Sequence, residues 1–88
     1  MLRVFIADDE APARERLKEL LADIAAELPT EVVGEAASGL DAVAQLPASR
    51  AQVLLLDIET PGTRGLQVAR HLAGLEIAPA VVFVTAHD

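Results

Sequence analysis

The strongest constraint on the fold is the alternation of four short apolar runs with three segments of helical periodicity. The runs occupy residues 4–7, 31–36, 53–56 and 80–84. Each is brief, and the first is apolar on successive residues, as in a strand covered on both faces. Strands that alternate with helices form a parallel sheet with helices on both of its faces. The sequence therefore predicts one α/β domain over residues 1–88, with the element order β-α-β-α-β-α-β.

Proline and capping residues delimit the predicted helices. The first helix is predicted over residues 11–28, where leucine and isoleucine recur at helical spacing. Pro12 suits its first turn, and Pro29 stops it. Ser38 is the predicted N-cap of the second helix, which Pro47 closes. A third helix, containing Leu66, Val68, Ala69 and Leu72, is predicted between the third and fourth runs.

Composition restricts the functions that are open to the chain. Apolar residues make up 52%, but the only aromatic residues are Phe5 and Phe83, so the platforms that stack single-stranded bases are missing. The net charge of −7 argues against direct nucleic-acid contact, which needs clustered lysine and arginine. There is no cysteine for a disulfide or a thiolate metal site. No stretch approaches the roughly 20 apolar residues of a membrane span, and we expect a soluble cytoplasmic protein.

Acidic and hydroxyl side chains gather where the predicted strands end. Asp8 and Asp9 follow the first run, Asp57 follows the third and Thr85 follows the fourth. Ligands of parallel sheets bind outside the carboxyl ends of the strands. If the first and third strands are neighbours, three carboxylates converge, and two of them about 4 Å apart repel by roughly 4 kcal/mol at an effective dielectric constant near 20. Such a cluster either raises a pKa or holds a cation, and oxygen ligands without nearby histidine or cysteine favour Mg²⁺.

Asp57 is the candidate nucleophile of this cluster. A carboxylate beside a bound cation can accept a phosphoryl group and form an aspartyl phosphate. Each residue also has an ordinary structural role to consider. An acidic pair after a strand is often a solvated loop or a charge favoured at a helix N-terminus, and a single aspartate at a strand end is often a turn or cap residue. The joint placement at three strand ends favours the functional interpretation.

Several spaced motifs resemble the receiver domain of two-component response regulators, and the resemblance covers the length of the chain. The motifs are Phe5-Ile6-Ala7-Asp8-Asp9-Glu10, Leu54-Leu55-Leu56-Asp57-Ile58, Pro61-Gly62 with Gly65, and Val82-Phe83-Val84-Thr85-Ala86. Residues 9–17 and 85–88 are similar to receivers joined to LytTR-type (LytR/AlgR) DNA-binding domains. The resemblance implies a flavodoxin-like (CheY-like) doubly wound parallel sheet with the strand order 2-1-3-4.

The resemblance also implies a role for each site residue. Asp57 would receive the phosphoryl group from a histidine kinase. Asp9 and Asp57 would bind Mg²⁺ directly, and the backbone carbonyl of Glu59 would complete the protein ligands. Asp8 would act on the metal through water, and Thr85 would shift its hydroxyl toward the phosphoryl group. The receiver would be a signalling module and not an enzyme, and it would regulate transcription through a DNA-binding output domain outside this chain.

The chain departs from the pattern of the family in two respects. Thr60 stands where many members carry methionine. The fourth helix, the fifth strand with its lysine before a proline, and the fifth helix have no counterpart, so the sequence predicts a receiver truncated after the fourth strand. We then expect weak phosphorylation, because the charge of that lysine is missing. We also expect self-association through the exposed edge of the fourth strand.

Other functions stay open at this point. Residues 57–60 resemble the Asp-x-Asp-x-Thr acceptor loop of haloacid-dehalogenase-like phosphatases, although the second acid is glutamate and the loop follows the third strand instead of the first. The chain could also be a non-phosphorylated interaction or dimerisation module. A dinucleotide site is disfavoured, because no Gly-x-Gly-x-x-Gly motif follows the first strand.

Overall fold

The computed structural model of the protein describes residues 1–57, 72, 74 and 79–84. The predicted third helix lies outside these residues except for Leu72, so its extent stays a prediction. In chain order the described elements are β1 (Leu2–Ala7), α1 (Ala11–Asp23), β2 (Thr30–Ala36), α2 (Gly39–Ser49), β3 (Val53–Asp57) and β4 (Ala80–Val84). Among the described residues, no helix has the length and apolar character needed to cross a membrane.

The four strands form one parallel sheet with the order β2-β1-β3-β4, as predicted. β1 is central and pairs with two neighbours, so that Ala7 lies opposite Ala36 of β2 and Leu56 of β3. On the far side of β3, Asp57 lies opposite Val84 of β4. These registers bring the carboxyl ends of the strands to a common edge of the sheet, which is where a doubly wound fold binds its ligands.

The interior of the protein is built around β1. Val4 and the three residues after it are 2% exposed or less, which confirms a strand covered on both faces. α2 contributes Ala42 and Leu46 to the same interior. The buried apolar cluster consists of Phe5, Ala7, Ala36, Ala42, Leu46, Leu54, Leu56 and Leu72. Each fully buried leucine or phenylalanine stabilises the fold by roughly 1.5–3 kcal/mol relative to an exposed one.

The Phe5 ring of β1 lies close to the backbone of Gly34 in the neighbouring strand β2. The pairing of β1 with β2 shifts between Val4 and Phe5, so that Val4 lies opposite Val32 and Phe5 lies opposite Gly34. A Cβ atom built on Gly34 would come within 2.5 Å of the Phe5 Cε2 atom. Glycine is therefore required inside β2, because the aromatic ring occupies the space of a side chain.

The prediction that the first helix extends to residue 28 is wrong. α1 ends at Asp23, and Ile24 has the non-helical dihedral angles φ −100° and ψ 8°. The chain continues in hydrogen-bonded turns, one of which is closed by the Leu28 N–H to the Ile24 carbonyl at 2.8 Å. The apolar periodicity was misleading here, because Leu20, Ile24 and Leu28 are 54%, 43% and 45% exposed. Pro29 additionally disfavours a helical conformation at Leu28.

The prediction that Pro47 closes the second helix is also wrong. α2 includes Pro47 and ends at Ser49. A proline in the last turn removes only one backbone bond, the one that its N–H would have made to Val43. The chain leaves the helix at Arg50, which has the left-handed φ of 57° and donates its N–H to the Leu46 carbonyl at 3.2 Å.

Two other predicted helix signals are confirmed. Pro12 lies in the first turn of α1. Ser38 caps α2, because its hydroxyl oxygen accepts a hydrogen bond from the Asp41 N–H at 3.1 Å. Both features satisfy or remove donors that the first turn of a helix leaves without an intrahelical partner.

Candidate functional site

The acidic loop between β1 and α1 begins as a continuation of the sheet. The Asp8 N–H donates to the Ala36 carbonyl of β2 at 3.0 Å, which extends the pairing of these strands by one residue. This bond places Asp8 inside the protein, where it is 3% exposed, while Asp9 is exposed to solvent. Asp57 ends the neighbouring strand β3 and is 9% exposed. Two strands that pair side by side therefore deliver three carboxylates to one edge.

The three carboxylates converge as the sequence predicted. One carboxylate oxygen from each of Asp8, Asp9 and Asp57 lies within 4.8 Å of the other two. Two negative charges at 4.8 Å repel by about 3.5 kcal/mol at an effective dielectric constant near 20, and by more at shorter separations. The fold holds these charges together against that repulsion, which is the electrostatic condition for a cation site.

The ionisation of Asp8 reflects this environment. Burial, as the largest cause, raises the pKa of the Asp8 carboxyl group, and the charges of Asp57 and Asp9 raise it further. A hydrogen bond from the Glu10 N–H opposes these effects and lowers the pKa. The net pKa lies above the ordinary value, so an added positive charge would favour the ionised form of Asp8.

Asp8 also has an ordinary structural role, but it is a buried turn and not the solvated loop considered for the acidic pair. Its Oδ1 atom accepts the Glu10 N–H at 2.9 Å, which closes a short turn of the kind that aspartate forms with its own backbone two residues on. Glu10 is the N-cap residue of α1 and has an extended backbone. The turn role and the place in the cluster are compatible, since the same carboxyl group serves both.

Arg14 is the residue of this region that the sequence patterns did not single out. Its Nη1 atom donates to the Asp8 carbonyl at 2.7 Å, and its Nε atom donates to Glu35 Oε1 at 2.9 Å. One signal was available in the sequence. Arg14 lies in the first turns of α1, and helical side chains tilt toward the helix N-terminus, which here is the acidic loop.

The donor set fits a hard divalent cation. All three groups offer carboxylate oxygens, which are the ligands preferred by Mg²⁺. The other predicted site residues, Glu59 and Thr85, lie outside the described residues. Val84, the residue before Thr85, pairs with Asp57, so the ends of β3 and β4 are adjacent. The roles of Glu59 and Thr85 stay predictions.

An α/β sheet of this strand order is the flavodoxin-like arrangement, which binds ligands outside the carboxyl ends of its strands. Residues 4–88 match the response regulator receiver domain family, and the chain belongs to that family. Receiver domains bind Mg²⁺ at an acidic pocket, and they are generally signalling modules without enzymatic activity. Membership disfavours the phosphatase alternative, as does the position of Asp57 after the third strand.

Several regulators are similar to this chain over nearly its whole length. The positive alginate biosynthesis regulatory protein of Pseudomonas aeruginosa is 41% identical over 87 residues, which are 99% of this chain and 34% of that protein. The sensory transduction protein LytT of Bacillus cereus is 39% identical over 88 residues, covering 100% of this chain and 35% of that protein. A protein-glutamate methylesterase/protein-glutamine glutaminase of Myxococcus xanthus is 42% identical over 84 residues, 96% of this chain and 23% of that protein. The chain thus spans about a third of the length of the two regulators and 23% of the length of the methylesterase.

Solved structures with the same fold are receivers as well. The signal receiver domain of NarL from Mycobacterium tuberculosis superposes with a TM-score of 0.82 at 34% identity, covering 99% of this chain and 68% of that chain. The isolated REC domain of RcsB from Salmonella enterica, solved with the phosphomimetic BeF₃⁻, gives a TM-score of 0.80 at 23% identity, covering 99% and 63%. The second similarity shows the fold alone.

Proposed function

We propose that the chain is a phosphoacceptor, with Asp57 receiving a phosphoryl group from a histidine kinase beside a bound Mg²⁺ ion. The observation that carries the proposal is the convergence of Asp8, Asp9 and Asp57 at the carboxyl edge of the sheet. Asp57 ends a buried strand, so its backbone is fixed while its side chain reaches this edge. A fixed nucleophile beside a charge-binding site is the arrangement that phosphoryl transfer requires.

The transfer follows from the chemistry of a carboxylate nucleophile. A carboxylate oxygen of Asp57 forms a bond to phosphorus, and the bond between phosphorus and the donor's imidazole nitrogen breaks. The electron pair of the broken bond stays on that nitrogen. Asp8, Asp9 and Asp57, with the main-chain carbonyl of Glu59, would hold the cation. When bound, Mg²⁺ offsets the negative charge of the carboxylates and of the phosphoryl oxygens. Thr85 is proposed as the hydroxyl group that responds to the modification.

The output of the signal is proposed to be transcription. The transcriptional regulatory protein BtsR of Salmonella typhi is 40% identical over 88 residues, which are 35% of its length, and the alginate and LytT regulators are similar to the same degree. We propose a LytTR-type DNA-binding domain as the output and a cytoplasmic site of action. The net charge of −7 supports a receiver that does not itself contact DNA.

Phosphoryl transfer is tested by incubating the protein with acetyl phosphate and Mg²⁺ and measuring its intact mass. We expect a gain of one phosphoryl group, which is lost when the sample is treated with hydroxylamine. Asp57→Asn should gain none. Asp41→Asn is the matched control, because Asp41 is an exposed aspartate in the first turn of α2 and should leave labelling unchanged. Labelling of Asp57→Asn at the wild-type level would refute the assignment.

Self-association through β4 is a second proposal, which rests on exposed apolar side chains. Val82 and Phe83 are 46% and 51% exposed, and β4 is an edge strand among the described residues. Unpaired strand edges with apolar side chains associate with other chains. Sedimentation velocity should show a dimer that Phe83→Lys weakens. A monomer at high protein concentration would contradict this proposal and leave the phosphoacceptor untouched.

A further inference from the structure

The main chain of Asp8 is held on both sides. Its N–H donates to the Ala36 carbonyl of β2 at 3.0 Å. Its carbonyl accepts the Arg14 Nη1–H at 2.7 Å. Its carboxyl group accepts the Glu10 N–H at 2.9 Å. Three hydrogen bonds therefore fix the residue that begins the acidic loop, and only one of them comes from the loop itself.

Arg14 is itself anchored to β2. Its Nε–H donates to Glu35 Oε1 at 2.9 Å, and the Arg14 side chain is only 18% exposed. Lys18 also bonds to Glu35. Hydrogen bonds from Lys18 and then from Arg14 lower the pKa of Glu35, so it remains ionised as an anchor. Glu35 directly precedes Ala36, so two adjacent residues of β2 hold the loop, one directly and one through Arg14.

The geometry of this contact suits arginine and no other cation. Two different nitrogens of one planar group reach a main-chain oxygen and a carboxylate in different elements. A lysine ammonium is a single point of charge on a flexible stem and cannot keep both bonds in a fixed plane. The guanidinium group therefore fixes a distance and an angle between β2 and the loop, in addition to supplying charge.

The acidic loop needs such a constraint because its carboxylates repel one another. Arg14 donates its hydrogen bonds to the main-chain oxygen of Asp8 and to the Glu35 carboxylate. Neither acceptor is a carboxylate of the cluster. Arg14 can thus hold the loop while the three carboxylates keep their negative charge for a cation. A site that is already in its binding geometry loses less conformational entropy when a ligand arrives.

We propose that Arg14 is a positioning residue, which together with Glu35 forms a clamp that holds Asp8 and Asp9 in the geometry for binding a divalent cation. The proposal rests on the proposed function, since that function supplies the cation. The clamp also makes β2 part of the site, although β2 contributes no carboxylate to the cluster. Loosening it weakens cation binding without removing any ligand.

The test compares Arg14→Lys with Arg16→Lys in ¹⁵N-labelled protein. Both substitutions keep the charge and lie on the same helix, and Arg16 is exposed. The first readout is amide hydrogen exchange of Glu10 without any metal. We expect faster exchange at Glu10 in Arg14→Lys only, with exchange at the core amides of Phe5 and Leu54 unchanged. A merely structural role would raise exchange at the core amides as well, which would count against the clamp.

The second readout is an MgCl₂ titration followed through the amide shifts of the acidic loop. Arg14→Lys should raise the dissociation constant about tenfold, as is common for residues that orient metal ligands. Glu35→Gln should shift it in the same direction by less, and Arg16→Lys should leave it unchanged. Equal Mg²⁺ affinity in Arg14→Lys and wild type overturns the clamp. Asp9→Asn, which removes a carboxylate of the cluster, tests the metal site separately.

The two readouts separate the clamp from the proposed function. If wild type itself gave no localised response to MgCl₂, the proposed cation site would fail and the clamp as a positioning device for that site would fail with it. If wild type responded and Glu10 exchange were unchanged by Arg14→Lys, only the clamp would fail. Faster Glu10 exchange together with weaker Mg²⁺ binding, at unchanged exchange in the core, supports the clamp.

Discussion

Hydrogen bonds link the amino ends of the strands to one another, whereas the carboxyl ends bring negative charges together. At the amino ends, the Arg3 N–H donates to Gln52 Oε1 at 3.0 Å, and the Gln52 N–H donates back to the Arg3 carbonyl at 2.8 Å. The Ala80 N–H then donates to the Gln52 carbonyl at 2.9 Å. These hydrogen bonds link the beginnings of β1, β3 and β4. The amino end of the sheet therefore stabilises the fold.

Each end also uses one arginine to hold main-chain carbonyls. The Arg3 guanidinium donates to the carbonyls of Arg50 at 3.0 Å and Ser49 at 2.7 Å, where α2 ends. Those carbonyls lack intrahelical partners, so Arg3 satisfies groups that any helix of this kind would need to satisfy. Arg14 instead holds the carbonyl of Asp8, beside charges that repel. The same side-chain chemistry therefore stabilises the fold at one end and maintains an unfavourable cluster at the other.

The largest expected effect concerns the carboxyl end, where Mg²⁺ should stabilise the protein. At about 100 times its dissociation constant, a ligand that binds only the folded state adds roughly 2.7 kcal/mol to the free energy of unfolding. Urea denaturation with and without MgCl₂ measures this gain. Asp9→Asn should abolish most of it, and Arg3→Ala should keep it in full. A similar gain in Asp9→Asn would mean that Mg²⁺ acts outside the cluster.

The next effect concerns the amino end. Arg3→Ala removes two charge-assisted hydrogen bonds to carbonyls, and such bonds contribute about 1.5–3 kcal/mol each. Because Arg3 is partly exposed and water replaces part of the loss, we expect a decrease of about 2 kcal/mol in the free energy of unfolding. Arg16→Ala, on the surface of α1, is the control and should change stability little. An unchanged Mg²⁺ affinity in Arg3→Ala would show that the amino end affects stability and not cation binding. A weakened affinity would show that the two ends are coupled.

The sequence predicted what depends on periodicity and on the order of elements. The parallel α/β class followed from short apolar runs alternating with helices, whereas the strand order came from the resemblance to receiver domains. The meeting of Asp8, Asp9 and Asp57 followed once the first and third strands were taken as neighbours. Helix ends were less accessible. The Leu20, Ile24 and Leu28 pattern indicated a longer helix, since periodicity does not tell whether an apolar stripe is buried.

Contacts between side chains of distant elements were out of reach for a different reason. Whether Arg14 meets Glu35 depends on the orientation of α1 over β2 and on side-chain rotamers, and neither is encoded in local spacing. The contact between Gly34 and the Phe5 ring depends in the same way on a register shift between strands. The convergence of the three carboxylates could thus be predicted, but the contacts of Arg14 with Asp8 and Glu35 could not.

Ser38→Ala tests whether a residue at the carboxyl edge must belong to the cluster to affect it. The Ser38 hydroxyl caps α2 by accepting the Asp41 N–H. Its loss should lower the free energy of unfolding by about 1 kcal/mol, as is usual for an N-cap. Ser38→Asp, which keeps an acceptor, is the control and should retain stability. Mg²⁺ affinity should be unchanged in Ser38→Ala, and a weaker affinity would extend the functional edge to α2.

The smallest expected effect is a pH dependence of the free energy of unfolding, which should differ in sign between Asp8 in the cluster and Glu35 in the clamp. Burial and the charges of Asp57 and Asp9 raise the pKa of Asp8 above its ordinary value of 3.8. The stability that protonated Asp8 contributes is then fully present below pH 3.8 and is lost as the pH rises through the raised folded-state pKa. Asp8→Asn keeps an oxygen acceptor for the Glu10 N–H but does not titrate. In urea denaturation without divalent cations, wild type should therefore lose stability relative to Asp8→Asn as the pH rises through this window.

In the same urea denaturation experiment, Glu35 should give a pH dependence of stability opposite in sign to that of Asp8. Lys18, first, and Arg14 lower the pKa of Glu35 below its ordinary value of 4.5, so the stability it contributes is present above pH 4.5 and is lost as the pH falls. Relative to Glu35→Gln, wild type should thus lose stability on acidification, whereas relative to Asp8→Asn it should gain. If both differences had the same sign, the carboxylate in the cluster would be as well compensated as the one in the clamp. Burial and the charges of Asp57 and Asp9 would then not raise the pKa of Asp8.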